Sequence, residues 1–200
     1  ENIMGSRRIG VKRLNALSKT GESVTGDLGS GVSGSVGSRK IIKSGNEITT
    51  EIYVDLGSSE GQLFQAGAAG TIIGHSSSAA GIQSAGKANL TQITDAESGV
   101  VTLVEMTCVE APTGGDADID LMFAATTQAF SGSTSLTSMI AAGGNLVKGS
   151  EGAVLYDASE LTDKYLYLTV GSATDGAAAA AYTAGKLLIR FYGHAIPDDV

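Results

Sequence analysis

The clearest pattern in the chain is alternation. Ile48, Ile52, Val54 and Leu56 recur on one face, with Thr50 between them, while Glu47, Glu51 and Asp55 occupy the other. Period-two alternation ending at Gly57-Ser58 predicts a half-buried antiparallel strand over 47–56. Residues 100–109 set Val104, Met106 and Cys108 against Val101, Leu103 and Val109, with Glu105 and Thr107 among them. Apolar residues on both faces predict a central strand. Ile119, Leu121 and Phe123 then alternate with Asp116, Asp118 and Asp120. This predicts a strand over 118–124, paired with 100–109 as a hairpin across a turn at Glu110–Gly115. Two further strands are predicted at 164–170 and 186–192. In the last, Leu187, Ile189 and Phe191 face inward, while Leu188, Arg190 and Tyr192 face away.

Weaker strand signals stand at Arg39–Ile42, 61–66, 70–75, 89–94 and Val154–Tyr156. Leu136, Met139 and Ile140 fall at helical spacing before Gly143-Gly144, which predicts one short helix within 131–142. The five alanines after Gly176 are too few to hold a helix alone. Short strands at turn-rich spacing, without a strand–helix alternation, predict an all-β chain. The expected architecture is an antiparallel β-sandwich, jelly-roll-like, with an extended N-terminal arm.

Composition supports that class. Glycine numbers 28 and proline 2, so glycine supplies the turns. Tryptophan is absent, and the core must come from Val, Ile, Leu and Ala. The one cysteine, Cys108, is expected as a small buried hydrophobe; it allows no internal disulfide, which suits a chain made in a reducing cytoplasm.

Charge divides the chain. Residues 1–45 carry a net +5 and the remainder −13. Eight of the ten residues 29–38 are Gly or Ser, a linker by composition. The expected domains are therefore a basic arm and linker over 1–45 and a sandwich over 46–200. Within the arm, Arg7, Arg8, Lys12 and Arg13 are interleaved with Ile9, Leu14 and Leu17. A purely solvating tail does not need those apolar residues, so these seven are the predicted partner-binding set. No signal peptide is expected, since no apolar run follows the basic residues. No window approaches the ~20 apolar residues of a membrane helix. An acidic body is a poor partner for phosphate backbones, so neither nucleic acid nor membrane is expected as a partner.

Catalytic chemistry finds little footing. His75 beside Ser76-Ser77-Ser78 invites comparison with a His–Ser pair, but no nucleophile elbow, acid partner or oxyanion hole is marked. The Gly/Ser stretch lacks the Gly-Lys-Ser/Thr of a phosphate loop. Asp116, Asp118 and Asp120 point one way from a strand and form the best metal candidate, with oxygen ligands that suit Ca²⁺. Their alternative reading is a solvated strand face that guards against edge pairing. The expectation is a non-enzymatic protein without a cofactor.

Several stretches resemble small virion structural proteins of tailed phages, marine ones in particular. They are the Arg-rich start through Leu17 with the Gly/Ser stretch, Ile52-Tyr53-Val54-Asp55-Leu56-Gly57, Glu110-Ala111-Pro112-Thr113-Gly114-Gly115, and the closing Gly185 to Gly193. The resemblance covers about half the chain and rests on turns and strands. It implies a capsid decoration or cement protein in the virion, assembled in the host cytoplasm. The implied partners are the major capsid protein or other virion subunits, and further copies of the chain in a homo-oligomer, a trimer by preference. Arg190 and Tyr192 are the expected intersubunit residues. The alternative is a receptor- or glycan-binding module of a tail or fibre, using Tyr156, Tyr165, Tyr167 or Tyr192.

Overall fold

A computed structural model describes residues 22–26, 28–29, 37–59, 62–75, 88–130, 135–156, 160–172 and 178–195. Their regular secondary structure is almost entirely β, and every pairing between strands is antiparallel. The strands are β1 (Glu22–Gly26), β2 (Gly37–Ser44), β3 (Glu47–Asp55), β4 (Leu63–Gln65), β5 (Gly74–His75), β6 (Thr91–Gln92), β7 (Val100–Thr113), β8 (Ile119–Ala124), β9 (Thr137–Ile140), β10 (Glu151–Leu155), β11 (Tyr165–Val170), β12 (Ala180–Ala181) and β13 (Ala184–His194). A four-residue helix, α1 (Asp95–Ser98), precedes β7. Among the described residues no helix is long and apolar enough to cross a membrane.

Strand β13 lies at the centre of a six-stranded sheet of order β1-β2-β3-β13-β7-β10. Its alternation explains the position. Leu187 sits in register between Val54 and Cys108, Ile189 between Ile52 and Met106, and Phe191 between Thr50 and Val104. All nine residues are buried. Burying such side chains stabilises by roughly 1.5–3 kcal/mol each, so these three rows anchor the sheet.

Leu166, Leu168, Val170, Ile119 and Leu121 complete the same core cluster. They come from a four-stranded sheet of order β6-β11-β8-β9. Strand β11 is buried on both faces. Tyr167, on the side away from the main core, packs with Ile72, Ala88, Ala124 and Phe130. Thr71 and Ile73 exchange backbone bonds with Val170 and Leu168, so the segment around Ile72 also closes the edge of β11 beyond β6. A three-stranded sheet, β12-β4-β5, completes the described strands.

Several expectations change. Residues 37–44 belong to the sheet: β2 and β3 form a hairpin, and the expected arm–body boundary after residue 45 falls in its turn. The 100–109 and 118–124 strands are not a hairpin, because β7 lies in the six-stranded sheet and β8 pairs with β11 and β9 in the other. Strand β7 runs on through Pro112 to Thr113, so the turn begins at Gly114 rather than Glu110. The Pro112 stretch survives because pairing with β13 shifts register there. Where a helix was expected, Thr137–Ile140 is strand β9. Met139 and Ile140 are buried in the main core, and pairing with β8 outweighs a weak local helical spacing.

Candidate interaction surface

The main core takes the even-numbered residues of β3 and the odd-numbered residues of β13. The opposite residues form an outer face that no described element covers. The pairing registers arrange it in three rows across five strands. One row is Lys40, Glu51, Arg190, Glu105 and Ala153. A second is Ile42, Thr49, Tyr192, Leu103 and Leu155, and a third is Ser38, Tyr53, Leu188, Thr107 and Glu151. Adjacent strands lie ~4.8 Å apart, so the five strands present a face about 20 Å wide.

Charge pairing orders the middle of this face. Arg190 Nε donates to Glu51 Oε1 at 3.0 Å, and Tyr192 Oη donates to Glu105 Oε2 at 2.9 Å. Lys186 Nζ donates to Glu110 Oε2 farther along β13. Burial, and next the bond to Glu105, raise the Tyr192 phenol above its ordinary pKa. The bond to Glu51 raises Arg190. Both groups therefore keep their protons as donors. Arg190 and Tyr192, the two residues expected at an intersubunit contact, thus lie side by side on the open face, and each holds a glutamate from a neighbouring strand.

Toward β10 the balance shifts. Glu105, Thr107, Glu151, Gly152, Ala153 and Arg190 line a shallow groove of about 310 Å³. Leu155 at the end of β10 is 79% exposed. With Val109 and Val147 it makes up the exposed large hydrophobics among the described residues, and all three lie on β7, on β10 or on the loop entering β10. Sequence reasoning took Leu155 only as part of a strand signal. Its exposed position follows from register with Leu103, which no local pattern encodes.

The other predicted site residues are not gathered here. Arg7, Arg8, Ile9, Lys12, Arg13, Leu14 and Leu17 lie outside the described residues, as do Ser76–Ser78. His75 contributes backbone to β5, opposite Leu63. Asp116, Asp118 and Asp120 are buried, which corrects the expectation of a solvated face. Two of the carboxylates serve the backbone: Asp116 Oδ1 accepts from Asp118 N at 3.0 Å, and Asp120 Oδ1 accepts from Ala142 N at 2.7 Å. Among the described residues no three or more His, Cys, Asp or Glu side chains are grouped to hold a metal ion. Of the tyrosines considered for a glycan site, Tyr167 is fully buried and Tyr156 packs edge-on against Phe123 at 6.1 Å between ring centres.

No family model matches the chain, and no curated protein or solved structure matches it either.

Proposed function

We propose that this chain is a virion structural protein that decorates or cements the capsid of a tailed phage. The basic N-terminal segment anchors it to the major capsid protein or to other virion subunits, and the β body projects as part of a homo-oligomer. The body is taken as a jelly-roll-like β-sandwich, its two larger sheets facing each other across one core. The role is non-enzymatic and uses no cofactor.

The observation that carries this reading is the outer face of the six-stranded sheet. Small-molecule sites are concave and mostly apolar. A broad face that carries Arg190 and Tyr192, residue types enriched at interfaces, with exposed apolar residues at one side, suits contact with another protein surface instead. The phage setting comes from the sequence resemblance. The alternative, a receptor- or glycan-binding module, draws on fewer residues, because two of its four tyrosines are occupied in packing.

The test is removal of residues 1–21, which leaves β1 in place. Co-sedimentation with purified capsids lacking the protein should then be lost while the circular dichroism of the body is unchanged. Undiminished co-sedimentation would overturn the anchoring role.

A further inference from the structure

Strand β10 ends the six-stranded sheet. Tyr156 N donates to Thr102 O and Cys108 N to Ser150 O, so the even-numbered residues of this stretch exchange bonds with β7. Bonding sides alternate along an antiparallel strand. The N–H and C=O groups of Glu151, Ala153 and Leu155 therefore point away from the sheet. Such a row is a template for another strand, and β10 carries no proline or lysine to block it.

The side chains beside this edge have a definite chemistry. Glu151 and Glu105 place two carboxylates on its outer face, and the Arg190 guanidinium nearby is already bonded to Glu51. Leu155, Val109 and Val147 are exposed around them. The complement is a short segment that carries cations and apolar residues together. This chain holds one: Arg7-Arg8-Ile9-Gly10-Val11-Lys12-Arg13-Leu14 has four cations, three large apolar residues and no acidic residue. As a strand, it would place Arg8, Lys12 and Leu14 on one face and Arg7, Ile9, Val11 and Arg13 on the other, so either face offers two cations.

We propose that the outer edge of β10, unpaired among the described residues, receives residues 7–14 of a second copy of this chain as an added strand. Main-chain bonds would supply affinity, and Lys12 against Glu151 would fix the register. A chain's own segment is badly placed for this. It enters the sheet at β1, five strand spacings from β10, or about 24 Å. The eight residues from Asn15 to Glu22 reach at most about 27 Å when fully extended, so they would have to run taut across the sheet. The segment of a neighbouring copy meets no such constraint. The contact rests on the proposed reading only in taking a second copy of this chain as the virion subunit that the segment holds, and it does not require a shell.

Sedimentation of the full chain at about 100 µM, a concentration suited to modest interfaces, tests this directly. The native chain should associate, and raising the salt to 0.5 M should weaken association at least tenfold. Ala153→Pro removes an outward N–H and should leave single chains. Glu151→Lys should do the same without touching the backbone, which keeps the test open if the proline variant fails to fold. Glu151→Lys combined with Lys12→Glu should recover association. A native chain that stays single, or variants that associate as it does, would overturn the proposal. So would association that is lost in Ala153→Pro but indifferent to charge reversal of Arg8 and Lys12, since that result would assign the edge to a second β10.

Discussion

Tyr182 and Gln65 stand 117 positions apart in the chain, and the Tyr182 hydroxyl lies 2.9 Å from Gln65 Oε1. The same hydroxyl is 3.0 Å from Asp116 O, and Gln65 Oε1 also accepts from Asp116 N at 2.7 Å. Gln65 Nε2 reaches Ala178 O at 3.1 Å. One buried glutamine thus ties β4, the turn before β8 and the approach to β12. Burial, and next the Asp116 charge, push the Tyr182 phenol far above its ordinary pKa, so it remains a donor. Removing one partner of a buried hydrogen bond costs about 1–3 kcal/mol. Tyr182→Phe should therefore lower unfolding free energy by ~1–2 kcal/mol in urea titrations. Gln65→Leu, which strands several groups at once, should cost about 3 kcal/mol. Equal midpoints for Gln65→Leu and the native chain would rule the network out as a stabilising element.

Arg39 links the two larger sheets in a different way. From β2 it donates to Thr91 Oγ1 at 2.8 Å and to both carboxylate oxygens of Glu97, at 2.8 and 3.2 Å. Lys43 Nζ adds a bond to Ala96 O at 3.1 Å. The helix α1 is too short to persist alone and is held by these contacts. Arg39→Met keeps the apolar stem and removes the fork, and should cost about 2 kcal/mol. Glu97→Gln should cost under about 1 kcal/mol, because the carboxylate side of the pair is the more exposed. Hydrogen exchange at residues 95–99 should quicken in Arg39→Met before the rest of the sheet responds.

What the sequence could reveal depended on whether a contact was local. The period-two runs at 47–56 and 186–192 located β3 and β13 and their buried faces, because each face meets a single environment. The aspartates at 116, 118 and 120 obey the same alternation and were misplaced. Alternation separates two faces but does not say that the second is dry, and here Gln65, Tyr182 and the Ala142 backbone cover it. The short span around Met139 fits helix or strand equally until β8 is beside it. The outer face was the least legible. Its rows join strands such as those of Glu51 and Arg190, 139 residues apart, and only sheet order brings them together.

Gly171 follows β11, where its N–H donates to Asp118 O at 2.7 Å. A Cβ at this position would overlap the Asp118 carboxylate. Asp118 is buried, so moving it aside means displacing packed neighbours. Gly171→Ala should destabilise by about 3 kcal/mol, the upper range for overpacking. Gly143→Ala is the control: its added Cβ meets open space, and only the positive φ of 67° opposes it, at about 1 kcal/mol. Comparable losses from the two variants would mean that Asp118 yields and the site is not rigid.

Asp120 gives a pH dependence of definite sign. Burial, its largest influence, raises the carboxyl pKa, the bond from Ala142 N opposes this, and the charge of Asp118 adds to the rise. With a folded pKa above the unfolded one, the folded state binds more protons in the window between them. Ionised Asp120 therefore costs stability at neutral pH, and the cost is relieved as pH falls through the raised folded value. It is gone once pH lies below the unfolded range near ~3.9. Asp120→Asn keeps a carbonyl oxygen for Ala142 N and removes the charge. The variant should unfold at higher urea than the native chain at pH 7. That difference should shrink steadily on acidification and vanish by about pH 3.5. A variant less stable than the native chain at pH 7, with the gap closing in acid, would show instead that the ionised carboxylate stabilises the fold through its bond to Ala142.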